Sequence, residues 1–200
     1  MACYVNASDF CYKTTDSMDL EEGAMVEPLF VVVAIAKTID LRAHQAVVVM
    51  GCGPIIILPQ AVARTDGAQK VIVIDVVQSR LDLAQGYGAD GTYLLPRAGP
   101  VVDSIDHAEN TAGEIKKMMD LGEGAEVIWN TRERKHGLVI IGSTRYSAEC
   151  YPAAIDLIAS GKVDVKKLIT NRFKVEQTED TFELVKKGRQ DVFEFIIAGV

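Results

Sequence analysis

Gln45-Ala-Val-Val-Val-Met-Gly51-Cys52-Gly53-Pro54 runs into an amphipathic stretch and then into a second apolar run that ends in an acid, Val71-Ile-Val-Ile-Asp75. This pair of segments decides the fold. A short β-branched strand feeds a glycine turn, where the lack of a Cβ lets backbone N–H groups approach a pyrophosphate. The helix that follows turns its positive end toward the phosphates. Asp75 closes the second strand where an acid would accept ribose hydroxyls, and a carboxylate there repels a 2′-phosphate, so NAD is expected over NADP. Taken alone, two glycines before an apolar helix are also compatible with an ordinary tight βα turn.

The segment departs from a full dinucleotide fingerprint at two places. Ile56 stands where a third glycine would let the helix lie close to its strand. Pro54 suits a first helical turn, where its missing N–H is no loss, but Pro59 falls inside a helix expected over Ile55–Thr65. An interior proline costs about 3 kcal/mol, so a kink near Leu58 is expected.

Working outward, Asp19-Leu-Glu-Glu-Gly opens with a capping residue and acids suited to a helix N-terminus, and a helix over Leu20–Thr38 is expected, interrupted at Glu27-Pro28. Beyond the glycine turn come a strand at Lys70–Asp75, a helix at Ser79–Tyr87, a strand at Thr92–Leu95, a loop over Pro96–Asn110, a helix at Thr111–Leu121 and a strand at Ala125–Trp129. The remainder reads as a strand at Leu138–Ile141, a helix at Tyr151–Ser160, a strand at Lys167–Thr170, a helix at Gln177–Lys187 and a strand at Val192–Ile197. Alternating strands and helices, with strands apolar at every position, predict an α/β fold built on a doubly wound parallel sheet covered on both faces.

Composition narrows the partners. The 200 residues are 48% hydrophobic with a formal net charge of −7, and the pI is near 5.0, so neither nucleic acid nor an anionic membrane has an electrostatic footprint here. The apolar run Leu29–Ala36 is far short of the roughly 20 residues that span a bilayer, and the N-terminus lacks the order of a signal peptide. A cytoplasmic protein acting on small molecules is expected. Cys3, Cys11, Cys52 and Cys150 are scattered and form no Cys-x-x-Cys pair, so neither a disulfide framework nor a structural zinc site is suggested. His44, His107 and His136 sit in polar, loop-like surroundings, and Arg132, Arg134 and Lys135 read as a solvated turn.

Six segments carry a family resemblance: Phe10-Cys-Tyr-Lys13, Asp19 through Leu29, Gly51 through Ile55, Asp75 through Arg80, Asp120 through Ala125, and Tyr146 through Lys187. The chain resembles the zinc-dependent medium-chain polyol dehydrogenases, those of xylitol and sorbitol. The resemblance implies NAD as cofactor and a small polyol or ketose as substrate. It matches Glu27 to a glutamate that approaches the family's zinc and holds substrate, and Gly51, Gly53, Pro54 and Ile55 to the pyrophosphate turn. Asp75 and Arg80 would flank the adenosine ribose, Ser143 would border the cofactor, and Arg145 with Tyr146 would reach both the nicotinamide side and the polyol. In such enzymes zinc polarises the substrate oxygen while a hydride passes to the nicotinamide ring.

The resemblance also implies omissions. The cysteine, histidine and glutamate that hold the family's zinc would precede residue 1, so the zinc ligands are not expected in this chain. A turn, a helix and a strand are expected to be missing between Trp129 and Thr131, which would leave an unpaired sheet edge. The implied organisation is an incomplete Rossmann-like domain over residues 44–141, with parts of the catalytic-domain side at 1–43 and 142–200. Two functions follow as expectations: an NAD-dependent polyol oxidoreductase impaired by these losses, or a non-catalytic dinucleotide-binding or subunit-interaction module. A homo-oligomer, or pairing with an intact relative, would cover the sheet edge.

Overall fold

The computed structural model describes residues 11–53, 55, 57–96, 104–120, 149–189 and 192–199. In chain order these form α1 (Leu20–Ala24), α2 (Val26–Thr38), β1 (Ala46–Met50), α3 (Leu58–Thr65), β2 (Lys70–Asp75), α4 (Gln78–Gly86), β3 (Gly91–Leu94), α5 (Ser104–Met118), α6 (Cys150–Ala159), β4 (Ile169–Lys174), α7 (Thr178–Lys186) and β5 (Glu194–Ala198). The chain divides into two compact units, Thr38–Gly142 and a second composed of Met1–Lys37 with Ser143–Val200.

The first unit contains a parallel sheet of order β1-β2-β3. Every residue of Val71–Asp75 is buried, as a central strand covered on both faces requires. Strand alternation splits these side chains. Val71 and Val73 pack with Val49, Ala63, Leu81 and Ala84 in a core supplied by β1, α3 and α4, whereas Ile72 faces the opposite side. There a Cβ on Gly91 would lie 2.8 Å from Met118 Cε and 3.0 Å from Ile72 Cδ1, so α5 covers the second face at the point where β3 has no side chain. The sheet is doubly wound, as expected.

Arg64, at the end of α3, ties this unit together. Its Nε donates to the Gly88 carbonyl at 2.9 Å, its guanidinium pairs with Asp90, and Asp90 Oδ2 accepts the Val71 N–H at 2.7 Å. One charged pair thus joins α3, the α4–β3 turn and the start of β2.

In the second unit, Asp19 caps α1 reciprocally with Glu22: Asp19 Oδ1 accepts the Glu22 N–H and Glu22 Oε2 accepts the Asp19 N–H, each at 2.9 Å. Arg172 of β4 grips Glu21 through both carboxylate oxygens, at 2.6 and 2.8 Å. β4 and β5 pair in parallel, with Phe173 and Phe195 edge to face at 6.5 Å. Phe30 is fully buried and stacks on Tyr151 at 4.3 Å, while Tyr12 stacks on Tyr151 at 4.3 Å, so Tyr151 belongs to a run of three rings. No helix of the described residues is long and apolar enough to cross a membrane.

Four expectations are corrected. The break expected at Glu27-Pro28 falls at Met25, because Pro28 has no N–H for the carbonyl of Ala24 four residues back, and α1 ends there. The helix expected from Ile55 begins at Leu58, so Pro59 lies in its first turn, where it breaks no bond and forces no interior kink. The loop expected over Pro96–Asn110 gives way at Ser104 to α5. Thr111, read as a helix start, is buried inside that helix and returns its Oγ1 proton to the His107 carbonyl at 2.8 Å. The strand expected at Lys167–Thr170 is a 3₁₀ turn, Val165–Leu168, followed by β4 from Ile169. The strands expected at Ala125–Trp129 and Leu138–Ile141 lie outside the described residues.

Gln60 is fully buried in α3, and neither its Oε1 nor its Nε2 has a hydrogen-bond partner. A buried unpaired amide costs about 1–3 kcal/mol, so Gln60→Leu is expected to raise the melting temperature in thermal denaturation; an unchanged or lowered value contradicts this. Gly88 has φ +103° and a Cβ there would sit 3.0 Å from Arg64 Cγ. Gly88→Ala is expected to cost about 1–3 kcal/mol, measured by urea denaturation.

Candidate functional site

The turn after β1 is closed from both sides by backbone bonds. Gly51 adopts φ +93°, a conformation that favours glycine, and its N–H donates to the Ile74 carbonyl at 2.7 Å. The chain then leaves the sheet plane through Cys52, which is fully buried. The Ile57 N–H reaches the Gly53 carbonyl at 3.0 Å and the Leu58 N–H reaches the Ile55 carbonyl at 3.2 Å. The turn therefore tightens irregularly before α3, and the positive end of the regular helix lies beyond Ile57. A Cβ on Gly53 would meet no atom within 4 Å, so the space beside this backbone is open.

Asp75 binds this turn to the end of β2. Its Oδ2 accepts the Cys52 N–H at 2.6 Å and its Oδ1 accepts the Val77 N–H at 2.8 Å. The residue is only 6% exposed. Each oxygen keeps a second lone pair, so an acceptor for hydroxyl groups remains. Arg80, in the first turn of α4, is half-buried. The Cys52 thiol is pushed up to about 12 by burial first and by the Asp75 charge second, with Arg80 opposing them. It stays a thiol at neutral pH and is no nucleophile.

The structure thus brings together Gly51, Gly53, Ile55, Asp75 and Arg80 around one turn. Pro54, Ser143, Arg145 and Tyr146 lie outside the described residues. The open space at Gly53 and the acceptor lone pairs of Asp75 suit a dinucleotide. The late start of α3 weakens the helix dipole that a pyrophosphate would meet.

Glu27 belongs to the other unit. It is exposed in the first turn of α2 and borders a cleft of about 170 Å³ that is also lined by Tyr12, Thr14, Gly23, Val26, Tyr151 and Ile155. Sequence reasoning missed Tyr12 and Tyr151, whose stack forms one wall, because nothing in their spacing links two rings so far apart in the chain. It also missed Glu194. Burial, and secondarily the Glu27 carboxylate, hold the Glu194 carboxyl above its usual range. The one available signal was an acid inside the apolar run Val192-Phe-Glu-Phe-Ile. Among the described residues no three His, Cys, Asp or Glu side chains come together as a metal site, so they do not fit a zinc centre and none is assigned to them.

No family model matches the chain. A probable D-xylulose reductase A of Aspergillus fumigatus is 33% identical over 232 aligned positions, covering 98% of this chain and 62% of that protein. The chain therefore spans less than two thirds of the curated relatives it matches. With 98% of the 200 residues covered, about 36 of the 232 aligned positions have no residue in this chain. An Escherichia coli oxidoreductase/dehydrogenase of unknown specificity superimposes with TM-score 0.74 at 22% identity, over 98% of this chain and 62% of that one. A short chain alcohol dehydrogenase of E. coli CFT073, solved with NADH, gives TM-score 0.68 at 20% identity, over 94% and 62%. At these identities the two structures establish the fold alone.

The raised carboxyl of Glu194 makes a signed prediction. An acid whose proton is held more tightly in the folded than in the unfolded state contributes stability that is full below its unfolded range and is lost as pH rises through the folded value. Against Glu194→Gln, the native chain is expected to lose relative stability as pH rises from about 4 toward 7. Melting temperatures of the two proteins across that interval provide the check, and a constant difference contradicts it.

Proposed function

We propose that this chain, a homologue of the D-xylulose reductases along 98% of its length, is an NAD-linked oxidoreductase of the polyol dehydrogenase kind. The whole-length match carries the proposal. The acid that ends β2 beside an open glycine turn supports the choice of NAD, because a buried carboxylate is a poor neighbour for a 2′-phosphate.

Gly51 and Gly53 would lie along the pyrophosphate, with Asp75 and Arg80 toward the adenosine ribose. Pro54, Ile55, Ser143 and Arg145 are proposed as further cofactor contacts. When bound, NAD supplies the hydride acceptor. Glu27 would accept a hydrogen bond from a polyol hydroxyl entering the cleft beside Tyr12 and Thr14, and Arg145 and Tyr146 are proposed to orient the same substrate.

A second reading rests on the aligned positions that have no residue in this chain: a dinucleotide-binding module without turnover that pairs with a second copy or with a full-length relative. Xylitol-dependent formation of NADH by the purified chain decides for the enzyme. Nucleotide binding without turnover, together with co-elution with a full-length relative, decides for the module.

Both readings require the same binding event. Titration followed by thermal shift is expected to show saturable stabilisation by NAD and none by NADP, since a ligand that binds only the folded state raises its stability. No shift with millimolar NAD, or an equal shift with NADP, overturns the proposal.

A further inference from the structure

We propose that Asp75 is the latch of the glycine turn as well as its ribose acceptor, so that the turn loses its shape, and with it both dinucleotides, when this carboxylate is neutralised. The two bonds that Asp75 makes run to backbone N–H groups in two different segments, one on each carboxylate oxygen. One comes from Cys52 in the β1–α3 turn at 2.6 Å, the other from Val77 just beyond its own strand at 2.8 Å. Cys52 is fully buried and Val77 is 9% exposed, so water is a poor substitute for the carboxylate at either donor. A buried N–H without an acceptor is costly, and hydrogen bonds to an ionised acceptor are the stronger kind.

Geometry makes the latch hard to replace. An ionised carboxylate is acceptor-only, so its two oxygens can serve two donors at once. The asparagine amide has one acceptor and one donor end, and whichever way it lies its NH₂ faces one of the two N–H groups. Alanine leaves both donors unpaired. Among the described residues the turn's other cross-link to β2 is the bond from the Gly51 N–H to the Ile74 carbonyl, at the position before Cys52.

The consequence for specificity is opposite to that of an acid that touches ribose alone. There, neutralising the acid removes a repulsion and lets a 2′-phosphate in. Here the same substitution disorders the backbone on which either pyrophosphate would rest. This consequence for nucleotides rests on the proposed function; the latch itself does not.

The test combines a ligand-free readout with a binding readout on the full chain. Amide hydrogen exchange is followed at Cys52 and Val77 in the native protein and in Asp75→Asn, and affinities for NAD and NADP are measured on both. Both amides are expected to be protected in the native chain and to exchange at least tenfold faster in the variant, while Val71 and Val73 keep their protection. The variant is expected to bind both dinucleotides at least tenfold more weakly than the native chain binds NAD. Unchanged exchange at Cys52 and Val77 in the variant, or a variant that binds NADP more tightly than the native chain does, overturns the latch. Should the variant not fold, the native protein decides alone: protected amides support the latch, and amides exchanging at open-loop rates overturn it. A native chain that binds no NAD overturns the proposed function, and the exchange rates at Cys52 and Val77 then decide for or against the latch by themselves.

Discussion

A single buried carboxylate joins the two segments from which this fold is read. Asp75 ends β2, which lies between β1 and β3, and accepts the N–H of Cys52 across the chain, so the end of β2 and the turn after β1 are held at one point. The strand pairing beneath is apolar and two-faced, with Val71 and Val73 on one side and Ile72 on the other, and would tolerate many turns above it. The position of the glycine backbone depends on the charge of Asp75 and on the positive φ of Gly51. Packing makes the sheet, and this polar contact turns its upper edge into a candidate site.

The parallel sheet and its glycine turn were legible because they depend on local chemistry: β-branched runs, a residue without a Cβ, an acid at a strand end. What the sequence misplaced were boundaries set by single backbone bonds. Pro28 acts on the carbonyl four residues before it, which moved the helix break to Met25. Pro59 looked like an interior breaker only because the helix was started three residues too early. Thr111 has the chemistry of a cap, yet within α5 it bonds back to His107. A threonine that caps and one that bonds back along the helix cannot be told apart without the fold.

The candidate site was legible in part for the same reason. Gly51, Gly53, Asp75 and Arg80 are linked by the βαβ spacing and come together around the turn. Tyr12, Tyr151 and Glu194 come from distant parts of the chain and meet Glu27 or its cleft only through tertiary packing. Phe30 is the buried end of a ring stack that supports the Tyr151 wall of that cleft. The cleft thus inherits its shape from the hydrophobic core of its own unit.

The central claim is that the glycine turn and Asp75 form a working dinucleotide site. Its most direct test is the backbone amide NMR spectrum of the labelled chain recorded with and without NAD. The account predicts shifts concentrated at Gly51, Cys52, Gly53, Asp75 and Arg80. A spectrum unchanged by NAD, or one whose shifts fall elsewhere in the chain, contradicts it.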